Sequence, residues 1–130
     1  MEAGDARVHE ERFGVPAGDL DAAVANLVDH YEGRGERVIA RLAEEGQDER
    51  VDRVLGAGRR LHRAWVEEKL GPLLDDCDDG ARPRRLAQLV AVCDVYTWKL
   101  LRRDSGLSRN ETERAIVELI RGLTMDGGSR

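Results

Sequence analysis

Side chains able to do chemistry are few in this chain, and they are scattered. Three histidines (His9, His30, His62) and two cysteines (Cys77, Cys93) are all that 130 residues supply. No histidine has a second His or Cys at metal-ligand spacing, and neither His-Glu-x-x-His nor Cys-x-x-Cys occurs. Cys77 lies among aspartates, and Cys93 falls on an apolar helix face. One surface thiol and one core thiol are therefore expected, not a redox pair. The run Asp75-Asp76-Cys77-Asp78-Asp79-Gly80 offers oxygens to a divalent cation but lacks the ordered ligand positions and closing Glu of an EF-hand, so it reads as a solvated turn. Gly56-Ala57-Gly58 lacks the further glycine and preceding strand of a dinucleotide loop. His62 shares a helix face with Trp65 and Val66. It is either a polar handle in an apolar pocket or a half-buried histidine meeting a carbonyl or water. No acid, base and nucleophile converge, so neither an enzyme nor a metal or cofactor site is expected.

The elements that must position these residues are helices. Leu, Ala, Arg and Glu dominate, while Thr, Ile and the aromatics are scarce. Hydrophobic residues make up 41% and charged residues 36%, yet the net charge is only −5, so the two signs are interleaved. That acidic balance disfavours a chain whose main work is gripping phosphates. No apolar run is long enough to span a membrane, and Met1 is followed by Glu and Asp where a secretory signal would be basic and then apolar. A cytoplasmic single domain is expected.

A short helix is expected over 6–12, followed by the breakers Gly14, Pro16 and Gly18. Asp19 then caps a stripe of Val24, Val28, Tyr31, Val38 and Leu42. The stripe keeps its phase across Gly33-Arg34-Gly35, which predicts one long helix with a bend or loosened turn there. A second amphipathic stretch runs from Val54 to Leu73, with Gly56-Ala57-Gly58 as the place where it could split. Pro83, in a favoured first-turn position, opens a helix to about Arg103.

That helix carries two apolar faces when residues are placed at 100° intervals. Leu86, Leu89, Val90, Cys93, Thr97, Leu100 and Leu101 form one, and Ala91, Val95 and Trp98 the other. Two burials are implied, the second suiting self-association through an aromatic anchor. Gly106 ends the helix, and Ser108 with Glu111 forms a capping box for the last one. The arginines and glutamates of 107–121 cancel in charge, so this segment reads as a packing hairpin and not as a DNA-recognition helix.

Several stretches together resemble the C-terminal region of TetR-like transcriptional regulators. These are Asp94-Val95-Tyr96-Thr97-Trp98-Lys99-Leu100-Leu101-Arg102-Arg103-Asp104, then Gly106-Leu107-Ser108-Arg109 and Glu111-Thr112-Glu113. Upstream, the likeness extends through Arg12-Phe13-Gly14-Val15-Pro16, His30-Tyr31-Glu32, Gly35-Glu36-Arg37-Val38 and His62-Arg63-Ala64-Trp65-Val66-Glu67. The resemblance implies an all-α bundle of about five helices whose last two pair with their twofold mates in a dimeric four-helix interface. Ile116, Leu119 and Leu123 would then join Ala91, Val95 and Trp98 in a homodimer contact. It also implies a small, partly apolar effector bound among Tyr31, His62, Trp65 and Cys93. Residues 1–18 resemble the remnant of a connecting helix and loop, 19–125 the ligand-binding and dimerisation domain, and 126–130 a disordered tail. The family's helix-turn-helix matches no residue here, so DNA would be reached only through a missing N-terminal domain. The alternative is a structural interaction protein that dimerises without a ligand.

Overall fold

The computed structural model describes residues 3–124, with side chains from Arg7 onward. Within them the chain is all α-helical: α1 Ala3–Phe13, α2 Leu20–Leu42, α3 Glu49–Leu70, α4 Arg82–Val92, α5 Val95–Lys99 and α6 Arg109–Thr124. A 3₁₀ turn (Gly71–Leu74) follows α3, and a π-type turn (Leu100–Asp104) follows α5. The tail expected over 126–130 lies outside the described residues.

Helix α2 is the axis of the bundle, packing against α1, α3, α5 and α6, while α4 packs on α3 and α6. Its start follows the rule for a side-chain cap, since Asp19 accepts a hydrogen bond from the Ala22 N–H at 3.0 Å. Its apolar stripe of Val24, Leu27, Val28 and Tyr31 is buried. Each such aliphatic side chain contributes about 1.5–3 kcal/mol relative to exposure. The single long helix expected across Gly33-Arg34-Gly35 forms, and the split allowed for at Gly56-Ala57-Gly58 does not. Helix α2 runs unbroken through Gly33 and Gly35, and α3 runs unbroken through Gly56 and Gly58. Tertiary packing of the apolar faces outweighs about 1 kcal/mol per glycine.

The region expected to be one helix over 83–103 is the main departure. Helix α4 stops at Val92; Asp94 takes an extended conformation (ψ 153°) and caps a new helix by accepting from the Tyr96 N–H at 2.9 Å. Thr97 ties the two pieces together by donating to the Ala91 carbonyl at 2.7 Å. An aspartate that caps at this point competes with helix continuation, and here it wins. Beyond the break the 100° projection no longer applies. Val95 and Trp98 turn into the protomer's core, and Leu100, expected inside, is 56% exposed.

Helix α6 starts at the expected cap, with the Ser108 half of the box formed and the Glu111 carboxylate turned to Arg114. Ser108 Oγ accepts from the Glu111 N–H at 3.1 Å, and Gly106 (φ 71°) makes the preceding left-handed turn. It buries Thr112, Ile116 and Ile120.

Candidate functional site

Where α1, α2, α3 and the α4–α5 break meet, the bundle leaves a cavity of about 240 Å³. Phe13, Val38, Leu42, Leu55, Leu61 and Trp65 supply its apolar wall. Tyr31, His62 and Trp65, three of the four residues expected at a ligand site, line it. Cys93, the fourth, does not. It is wholly buried in the core, its thiol pushed up to about 12 by that burial, and it serves the site through its backbone.

Three polar groups in the wall can be followed to backbone partners. Tyr31 Oη donates to the Cys93 carbonyl at 2.7 Å, an acceptor released where α4 ends. Burial holds the Tyr31 phenol well above its ordinary pKa, so it stays a neutral donor. Trp65 Nε1 donates at 2.7 Å to the Arg12 carbonyl in the last turn of α1. His62 donates from Nε2 to the Val90 carbonyl at 3.1 Å; burial keeps its pKa below the usual imidazole value, so Nδ1 stays unprotonated. His30 is driven further down, to about 4, by burial and then by the nearby Arg12 and Arg34 cations.

Arg12 differs from the others. Only 5% exposed, it lies with its guanidinium carbon 4.1 Å over the Trp65 ring and donates from Nη1 to Asn26 Oδ1 at 2.7 Å. Asn26 in turn donates to the Glu11 carbonyl at 2.8 Å, which fixes its orientation. Among the side chains described, from Arg7 onward, no carboxylate comes within 4.0 Å of Arg12. Burial lowers its pKa from the usual value. The other buried cation, Lys69, has Glu68 at 3.0 Å. Arg12, His30 and Asp94 were not among the expected site residues. Arg12 sits in a uniformly charged stretch where neither periodicity nor composition sets it apart.

The residues expected at a dimer contact divide by burial. Val95, Trp98 and Ile116 lie 0–4% exposed in the protomer's own core, where a second chain could not reach them in this fold. The assignment of Val95 and Trp98 to an outer face rested on the unbroken helix that does not form, and that of Ile116 on the resemblance alone. Leu119 is 46% exposed, Ala91 is exposed, and Leu123 is half-buried. Trp98 is held by α2: its Nε1 donates to Glu32 at 2.9 Å, and Arg102 binds the same carboxylate at 3.0 Å. Gly35 makes room for it, since a Cβ there would stand 2.7 Å from Trp98 Cζ3. Arg109, in the segment read as a hairpin, pairs with Asp29 of α2 at 3.0 Å. No cluster of three His, Cys, Asp or Glu with metal-holding geometry occurs among the described residues, the acidic loop included. None of the described helices is long and apolar enough to cross a membrane. Comparison with known proteins returns no matching family model, no similar curated protein and no similar solved structure.

Proposed function

We propose that this chain is a small-molecule-sensing helical domain of the TetR-like regulator type, acting in the cytoplasm as a homodimer. The observation that carries the reading is the mostly apolar cavity with a few fixed polar groups, which is the make-up of a ligand pocket. Tyr31, Trp65 and His62 in its wall are committed to backbone carbonyls and His30 is held neutral, which suits orienting a ligand better than transferring protons. The sequence resemblance over 94–113 supplies the regulatory half of the proposal. DNA recognition would then come from a helix-turn-helix unit that no residue of this sequence matches. A ligand would act by favouring one arrangement of the dimer over another.

The test is a thermal-shift screen with small amphipathic compounds, followed by titration while Trp65 fluorescence is read. Saturable stabilisation is expected. Gly58→Leu should abolish it, because a side chain there projects into open space at the cavity wall. A broad library without a single stabilising compound would sink the reading. A second reading, a dimerising module with no ligand, is favoured by exposed Tyr96, Leu100 and Leu119. A concentration-dependent dimer on sedimentation that binds nothing in the screen would support it.

A further inference from the structure

The contrast between Arg12 and Lys69, the two buried cations among the described residues, narrows the ligand's chemistry. The half-buried Arg34, Arg82 and Arg85 also lack an acidic partner among the described side chains but keep more contact with water. Arg102 meets Glu32 at 3.0 Å, Arg103 meets Glu36 at 2.7 Å, and Lys69 meets Glu68 at 3.0 Å. Arg12 is more deeply buried than Arg102 or Arg103, yet its described polar partner is the neutral Asn26 amide. A buried charge without an opposite charge is costly, and its guanidinium presents five donors in a planar fork. Asn26 takes one of them, and Trp65 occupies one face. Arg12 itself is among the residues lining the cavity, and Asn26 is the one side-chain acceptor it meets among the described side chains.

Resting on the ligand-sensing reading above, we infer that the cavity takes a compact apolar monocarboxylate whose carboxylate pairs with Arg12. The fork matches a carboxylate's two oxygens. Three further features favour one negative charge over two. Arg12 is the one buried cation on the wall. Arg41 and Arg59 are exposed, and Arg59 is already engaged by Glu45. Asp94, the acidic residue of the wall, would repel additional negative charge. At 240 Å³ the space lies below the roughly 300–1,000 Å³ of drug-sized sites, so the apolar body must be small.

The experiment is calorimetric titration of the full chain with octanoate, octanol and octyl phosphate. Octanoate is expected to bind at least about tenfold more tightly than octanol, the worth of one charge-assisted hydrogen-bonded pair. It should also bind more tightly than the phosphate. In Arg12→Met, which keeps an unbranched apolar stem, the preference of octanoate over octanol should vanish while octanol binding persists. The wild-type ratio alone carries the test if that variant fails to fold. Equal binding of octanoate and octanol to the wild type would overturn the carboxylate inference and leave the cavity as a ligand site. Tighter binding of octyl phosphate would overturn the single-charge assignment. Binding of none of the three, together with no response to the broader library, would remove the ligand-sensing reading itself.

Discussion

The two tryptophans have been given the same kit and different completions. Each is buried on a helix, each donates its indole N–H, and each carries an arginine over its ring, at 4.1 Å for Trp65 and 5.0 Å for Trp98. At Trp98 the acceptor is the Glu32 carboxylate, Arg102 shares it, Arg103 pairs with Glu36, and Gly35 lets the ring pack directly on α2. At Trp65 the acceptor is a backbone carbonyl, the arginine has no acidic partner among the described side chains, and a cavity opens beside the ring. A region whose charges are matched and whose volume is filled serves stability. One that leaves a cation and space beside an aromatic wall is suited to meeting something else.

The comparison can be broken most forcefully by truncation. Trp98→Ala should cost about 4 kcal/mol in denaturant unfolding, and Trp65→Ala about 1 kcal/mol less, because part of its neighbourhood is already open. Equal losses would erase the distinction between the two sites. Next in size is Gly35→Ala, which forces its methyl against the Trp98 ring and should cost roughly 1–3 kcal/mol.

Acid should then separate the two ends. His30 has a folded pKa near 4 against an ordinary 6.5, so the unfolded chain takes up the proton first and stability falls as pH drops from about 6.5 to 4. His30→Asn should flatten that slope in pH-dependent melting. Burial works against the charged form of Glu32, but hydrogen bonds from Arg102 and Trp98 outweigh it and hold its pKa below 4.5. Its contribution is therefore present above about pH 4.5 and is lost below that, as pH falls through its folded pKa. Glu32→Gln should remove about 1 kcal/mol at neutral pH and very little at pH 2. The smallest effect, of opposite sign, belongs to Gly33→Ala. Two residues from Gly35 on the same helix, its Cβ would meet nothing within 4 Å, and it should stabilise by somewhat under 1 kcal/mol.

Much of this organisation is legible in the residues. Tyr31, His62 and Trp65 reach one cavity because each lies on the inward stripe of a helix whose period is plain in the sequence. Cys93 was misplaced by one step: it is on the inward face, but packed in the core, and only its carbonyl reaches Tyr31. Arg12 is invisible because an arginine in a charged helix is ordinarily solvated. Its burial depends on Trp65 and Asn26, 53 and 14 residues away.

The sequence by itself determined the helical class, the stripes of α2 and α3, and the caps at Asp19 and Ser108, all of which arise from neighbours within about a turn or two. Asp94 carries a local capping option as well as a helical one, and tertiary packing decided between them in favour of the cap. It thereby turned Trp98 inward against Gly35, where a continuous helix would have pointed it outward. It also decided that Arg12 would be enclosed beside a cavity. Helical phase is lost across a single extended residue, and whether a charge is buried depends on which distant segments close over it.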